Sequence, residues 1–488
     1  MKSKRRDFLK LAGLAGFGLA SGTLKGFSKM NTVFEGQDLP QIIRESDRLH
    51  VQRFNMSGYS APKIDNVRVG IIGLRRGLSY IRNMGRCEGV EIRALCDLRP
   101  EVAEVAKNRA EESGHKPFVY SGDKQIWKKM CERDDLDLVV ISTPWTMHAE
   151  QGIFAMEHGK HVASEVPAAG TLEECWQLVK TSELTRKHFM MMENYSYMRF
   201  HLLTLNMARN GMFGDIVHGD CAYNTSKMFN NFNKTGYWDM WWLREYASRR
   251  GNIYPTHGLG PVCQIMDINR GDKLDYLVSV ESNDFMMQKR AQQLAKEDKF
   301  FRPFAEKEYR GNMNVTTIRT KKGRTIMLQH DATTPSPHNL IHGIHGTRGA
   351  ALYDPQPPRL SIVREENAFL RPYGIHEWVS QDEFNLLEER FTPKINKVMG
   401  ELARGSGHGG SDLMIQWHLI DCLRNGLPVP SDVYDAASWS SIIPLSEWSV
   451  LNRSNSIDIP DFTAGAWKTN HPNIDINIEK GGTTKVIR

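Results

Sequence analysis

Tyr254 and His257 lie in the stretch Gly251-Asn252-Ile253-Tyr254-Pro255-Thr256-His257-Gly258-Leu259-Gly260-Pro261, which also holds three glycines and two prolines. Both side chains can donate, accept and transfer protons. Glycine and proline take up backbone shapes that other residues resist, and their density marks a place where backbone approaches something closely. The apolar run Val262-Cys263-Gln264-Ile265-Met266-Asp267-Ile268 predicts the start of a buried helix, with His257 where a loop enters it. A helix entry whose polar groups only cap the backbone would read the same way, so this stretch alone leaves catalysis and capping both open.

The elements that must position such chemistry begin upstream. Val67-Arg68-Val69-Gly70-Ile71-Ile72-Gly73-Leu74 reads as a buried parallel strand ending in glycine. Arg75-Arg76-Gly77 follows, then a helix from about Ser79, and a second strand, Glu91 to Asp97, ends in an acid. A Gly-rich turn after strand one, with an acid about 20 residues on, is the dinucleotide-binding pattern: helix N–H groups meet the pyrophosphate and the acid holds the ribose. Here Arg75 stands where a second glycine is expected and the turn is one residue short. Asp97 favours NAD over NADP, because a carboxylate repels a 2′-phosphate, and Arg75 and Arg76 could contact the pyrophosphate or, as the less favoured reading, a 2′-phosphate.

The βα rhythm continues through Asp137 to Pro144, Lys160 to Pro167 and His188 to Tyr195. Strand C-termini in such a sheet face the cofactor crevice. That puts Trp145, Thr146, Met147 and His148, then Glu165 and Val166, then Glu193 and Asn194, around a dinucleotide. Beyond residue 196, Leu203 to Gly211 reads as a helix, and Asp215 to Tyr223, Leu274 to Glu281, Asn314 to Thr320 and Thr325 to His330 read as strands. Gly405 to Asp412 opens a further helix, whose glycines, His408 and Asp412 read as either a helix N-cap or part of the site, the cap, supporting the site from behind, being favoured. The expected fold class is α/β: an N-terminal Rossmann dinucleotide-binding domain over 66–195, then an α+β domain over 196–450 with an open, mostly antiparallel sheet. An arm over 23–65 and a C-terminal tail over 451–488 flank them.

The strand-turn-acid unit, Ser142-Thr143-Pro144 with His148, and the Glu165-Val166-Pro167 turn resemble the glucose–fructose oxidoreductase/inositol dehydrogenase (Gfo/Idh/MocA) family. Most members carry a Lys at the middle of that turn, where it assists hydride transfer; Val166 replaces it. The body of the chain resembles glycoside hydrolase family 109, the NAD-dependent α-N-acetylgalactosaminidases. The matching stretches are Glu165 to Ala169, Glu193-Asn194, Leu203 to Gly211, Gly251 to Pro261, Asp267 to Gly271 and Gly407 to Gly410. The resemblance implies cofactor positions at Arg75, Arg76, Asp97, Trp145 to His148, Glu165, Val166 and Asn194. It implies catalytic positions at Glu193, Tyr223 and His257, and substrate contacts at Tyr223, Tyr254, Pro255, Thr256 and His257. It also shows two departures at sugar-contacting positions: Trp242 stands for the usual Arg, as an aromatic face to stack on a sugar, and His338 for the usual Tyr. The function it implies is glycoside hydrolysis with retained NAD. A sugar or inositol dehydrogenase and a non-catalytic sugar-binding protein are the alternatives.

The 488 residues, 40% hydrophobic and 25% charged, suit a globular chain of two domains plus a leader. A net charge of +6, much of it in Lys2, Lys4, Arg5, Arg6 and Lys10, gives no nucleic-acid footprint. Seven cysteines show no metal-knuckle spacing and read as buried free thiols. The partner expected is a small-molecule or glycan substrate; a homo-oligomer is compatible with the chain, and no metal is expected. Residues 1–22 read as a signal peptide whose Arg5-Arg6-Asp7-Phe8-Leu9-Lys10 core resembles the twin-arginine signal. The expected location is the periplasm or the outside of the cell, with no membrane insertion after cleavage.

Overall fold

A computed structural model of the chain describes residues 38–235, 238–363 and 377–487. The expected leader, and the first part of the expected arm, lie outside the described residues. The later part of that arm is not featureless: α1 (Leu39–Leu49) starts at an Asp38 cap and buries Leu39 and Ile43.

Six strands form the first sheet: β1 (Val67–Ile72), β2 (Val90–Asp97), β3 (Phe118–Ser121), β4 (Leu138–Ile141), β5 (His161–Ser164) and β6 (Phe189–Met191). Their order is β3-β2-β1-β4-β5-β6 and every pairing is parallel. The connections are α2 (Leu74–Met84), α3 (Pro100–Glu112), α4 (Ile126–Cys131), α5 (His148–Glu157) and α6 (Leu172–Thr185). Val139, Val140 and Ile141 are wholly buried, as a sheet covered on both faces requires. The order reverses between β1 and β4, and the crevice at that switch point is where such sheets take a nucleotide.

After α7 (Arg199–Arg209), β7 (Ile216–Asn224) enters a second sheet. Its other strands are β8 (Leu274–Glu281), β9 (Met313–Thr320), β10 (Thr325–Asp331), β11 (His342–Gly346), β12 (Gly349–Leu352), β13 (Arg359–Ile362) and β14 (Ile457–Asp458). The order is β13-β12-β11-β7-β10-β9-β8-β14; β7 and β10 run parallel and the remaining pairs are antiparallel. The four strands expected from sequence are β7 to β10. Helices α8 (Trp241–Ser248), α9 (Thr256–Ile265) and α10 (Ser411–Asn425) carry site residues. The last residues are tied to the body: the Asp421 carboxylate accepts the N–H groups of Gly482, Thr483 and Thr484. All seven cysteines are buried and unbridged.

Candidate active site

Gly73 has φ +84, and a Cβ on it would lie 2.5 Å from the carbonyl oxygen of Ser142. Only glycine lets β1 turn this tightly against the end of β4. The helix therefore starts at Leu74, earlier than the expected Ser79, and Arg75 and Arg76 fall in its first turn. Its first intrahelical bond runs from Gly77 N to Gly73 O, and Leu74 N donates to Asp97 Oδ2 at 2.8 Å. The backbone N–H groups of Arg75 and Arg76 are left at the helix N-terminus, a donor pair suited to phosphate. Asp97 ends β2, accepts Arg99 N at 3.0 Å on its other oxygen, and keeps lone pairs for ribose hydroxyls. These residues fit a dinucleotide.

The side chains nearby divide their work differently from the expectation. The Arg76 guanidinium is committed, with Nε 2.7 Å from Glu165 Oε1 and Nη1 2.8 Å from Asp412 Oδ2. It offers a pyrophosphate only its backbone N–H. Arg75 is exposed and donates to Thr235 O at 2.9 Å. Asp412 is not a helix cap: its oxygens take Arg76, Asn194 Nδ2 at 2.8 Å and His408 Nδ1 at 3.0 Å. Burial pushes the Asp412 pKa up, but His408 and Arg76 outweigh it and hold the carboxyl well below the usual range. Asn194 is thereby held through its amide, and Glu165 also accepts from Tyr80 OH at 2.8 Å. His148 sits with ring nitrogens 2.7 and 2.8 Å from the carbonyls of Pro167 and Thr143. It braces two crevice loops instead of presenting a free group to a nucleotide. Thr146 is exposed, Met147 is partly buried, and Val166 is buried at the turn where a lysine was absent.

The chemistry gathers where β6 and α9 meet. Glu193 lies two residues beyond β6, and its carboxylate lies 2.8 and 3.0 Å from His257 Nδ1. Glu193 is 2% exposed and His257 8%. The ring of Tyr195 meets His257 edge-on with centroids 4.3 Å apart, Tyr254 does the same at 4.8 Å, and Tyr223 lies 5.2 Å away. Burial pushes the phenols of Tyr195 and Tyr254 above their usual range. The helix that carries His257 starts at Thr256 with Pro255 before it, not near Val262 as expected, and Pro261 lies inside it. Its glycines explain why. A Cβ on Gly258 would stand 2.9 Å from Ala222 N of β7, and one on Gly260 2.8 Å from Glu193 Cγ. The missing side chains let α9 press onto both the strand that carries Tyr223 and the acid that holds His257. Thr256 is wholly buried, and its hydroxyl has no hydrogen-bond partner among the described residues.

Two substrate assignments read differently in three dimensions. Trp242 has no free face for a sugar: it is 5% exposed and packs on Trp145 at 4.9 Å and Tyr254 at 5.4 Å. Trp145 in turn stacks on Tyr254 at 5.0 Å, so both tryptophans back the Tyr254 ring. His338 is exposed, bonds to Thr225 Oγ1 and lies 6.2 Å from the Tyr223 ring, at the rim. Sequence reading missed Tyr195, although it follows Glu193-Asn194 directly. It also missed His330, which ends an expected strand and whose Nδ1 lies 3.1 Å from Tyr223 O.

A parallel sheet with a glycine turn at its switch point, joined to a mixed sheet against which α9 holds an acid-supported histidine, defines a Rossmann-type dinucleotide-binding scaffold. The family profile "Oxidoreductase family, NAD-binding Rossmann fold" (GFO_IDH_MocA) matches residues 67–193, and "Glycosyl hydrolase 109, C-terminal domain" matches 197–469. The chain belongs to glycosyl hydrolase family 109, and it is an enzyme with NAD as its cofactor. A glycosyl hydrolase family 109 protein of a Shewanella species is 42% identical over 486 residues, covering 96% of this chain and 98% of that protein. Another, from Shewanella pealeana, is 41% identical over 481 residues, covering 97% and 99%. Among solved structures, levoglucosan dehydrogenase in complex with NADH matches with TM-score 0.60 at 18% identity, covering 81% of this chain and 100% of that one. The WlbA dehydrogenase from Bordetella pertussis, in complex with NADH and UDP-GlcNAcA, matches with TM-score 0.56 at 17% identity, covering 82% and 100%. At these identities the two structures speak for the fold.

Proposed function

We propose that this enzyme hydrolyses a glycoside, an N-acetylgalactosaminide or a related sugar, through transient oxidation at C3 with NAD retained through the cycle. We also propose that it acts outside the cytoplasm after export through the twin-arginine route. The observation that carries the chemical reading is the Glu193–His257 pair, which supplies a proton-transfer group where Val166 offers none.

The α2 N-terminus and Asp97 would hold the cofactor, whose chemistry there is reversible hydride acceptance from the sugar's C3. An ionised Glu193 only accepts hydrogen bonds, so His257 carries its proton on Nδ1 and keeps the Nε2 lone pair. That lone pair takes the C3 hydroxyl proton. A ketone at C3 makes the C2 proton acidic, and Tyr223, acting as the phenolate, receives it to become the phenol. Loss of that proton expels the group at C1, water adds back at C1, and C3 is reduced again. Tyr254, backed by Trp145 and Trp242, holds the sugar ring. Each step depends on a positioned acid or base.

The test is turnover of a panel of aryl glycosides in deuterated water without added NAD, followed by mass analysis of the released sugar and of the nucleotide freed on denaturing the protein. One deuterium at C2 and stoichiometric NAD are expected. An unlabelled C2, or activity in protein that releases no nucleotide, overturns the reading. NADH accumulating with a keto sugar would identify a dehydrogenase instead.

A further inference from the structure

Lys227 stands just beyond the end of β7, with its backbone N–H donating to Ala332 O at 2.7 Å. Thr225, two residues earlier, donates to Asp331 O at 2.8 Å, so the segment extends the sheet and is anchored. The Lys227 side chain is partly buried and returns over the site: Nζ lies 5.9 Å from the Tyr223 ring centre and 6.0 Å from that of Trp242. Those distances are at the outer limit of about 6 Å for a cation–π contact, so the rings give the ammonium little in return for its lost water.

The acids that could answer it are occupied. Glu193 is spent on His257 and Glu165 on Arg76. Asp331 accepts the N–H groups of Thr333 and Thr334. Among the described residues no carboxylate lies within ion-pair distance of Nζ, and burial alone lowers the Lys227 pKa from its ordinary value. His338, on the same rim, also has a lowered pKa, from burial and then from the Lys227 charge. A partly buried, unanswered cation beside a sugar pocket is costly unless the ligand brings the counter-charge.

Resting on the glycoside reading above, we propose that Lys227 is a substrate-binding residue that receives an anionic substituent of the sugar or its leaving group. The substrate class is thus an acidic glycoside bearing a carboxylate or a sulfate ester. The ammonium donates charge-assisted hydrogen bonds to the oxyanion.

The test uses NAD-loaded full-length protein as native, Lys227→Gln and Lys227→Arg forms. Calorimetry measures binding of galactose, galacturonate and galactose 6-sulfate, the last two separating carboxylate from sulfate. Native and Lys227→Arg protein should bind at least one acidic sugar about 10-fold or more tighter than galactose, with the advantage shrinking in salt. In Lys227→Gln protein that ratio should collapse, with bound NAD and melting temperature showing that the variant folds. An acidic advantage that survives Lys227→Gln, or no acidic advantage in native protein, overturns the proposal. Acidic preference in binding without turnover of any glycoside would sink the hydrolase reading and leave this assignment standing; turnover of neutral glycosides with no acidic preference would do the reverse.

Discussion

The Glu193 carboxylate and the His257 imidazole meet at 2.8 Å although they stand 64 residues apart in the chain. In the proposed mechanism the acid selects which ring nitrogen carries the proton. Replacement of Glu193 by Gln keeps the shape but removes the charge that selects the tautomer. Its kcat should fall by about 100- to 10,000-fold, as it does where an orienting acid is lost from a catalytic histidine. His257→Ala should be at least as damaged, with NAD still bound in both. Steady-state rates and released nucleotide check this; near-native activity in His257→Ala would place the base elsewhere.

Gly260 sets how closely α9 approaches that acid. A methyl group there would come within 2.8 Å of Glu193 Cγ and 3.1 Å of the Trp439 ring. Gly260→Ala should cost about 1–3 kcal/mol of stability through overpacking. It should also lower kcat, because the acid is displaced from His257. Urea midpoints and rates measured together test this, and a fully active, fully stable variant would contradict the packing account.

Trp242, through the Tyr254 ring it backs, and His338, at the rim beside Tyr223, should limit activity on N-acetylgalactosaminides. The double change Trp242→Arg with His338→Tyr should raise that activity relative to other aryl glycosides. Because Trp242 backs Trp145 and Tyr254, a stability loss of about 3–5 kcal/mol is expected alongside. A substrate panel read by kcat/KM decides; an unchanged profile means these positions do not set preference.

Stability should fall as the medium is acidified from pH 6.5. His188, His201 and His418 are buried, and burial depresses each from 6.5 to about 4. A histidine neutral in the fold but ordinary in the unfolded chain gives its full stabilisation above the unfolded pKa. That stabilisation drains away as pH falls toward the folded one. Each should add about 1.4 kcal/mol per pH unit to the slope between those limits. Urea titrations across this range in native and His418→Gln protein measure it; an identical slope in the variant would remove His418 from the account.

Changing Arg5 and Arg6 to lysine should leave the protein in the cytoplasm. Cell fractionation reads the outcome, and unchanged export would end the twin-arginine reading.

What could be read from sequence tracks how local each cause is. The alternation of β7 to β10 and the apolar runs of the parallel sheet are written in consecutive residues, and so was the Gly73 turn. The start of α9 was misplaced because Gly258, Gly260 and Pro261 look like loop residues. Their purpose is close packing on Ala222 and Glu193, which no neighbouring residue reveals. Asp412 looked like a cap for the same reason: its partner Arg76 lies 336 positions away. Trp242 looked like a sugar platform until Trp145 and Tyr254 were seen to cover it. Short, glycine-bearing β11 and β12 carry too little pattern to be found.

Arg76 comes from the first turn of α2 and Asp412 from α10, which packs against that helix, so their bond ties the two together. Breaking it would leave a buried carboxylate with only His408 and Asn194 as partners. On the retained-NAD reading proposed above, a nucleotide whose exit needed that bond to open would leave more slowly. On that reading sugars would come and go while the dinucleotide stays put. On the function proposed above, a diffusible cosubstrate would become a built-in part, carried from one turnover to the next.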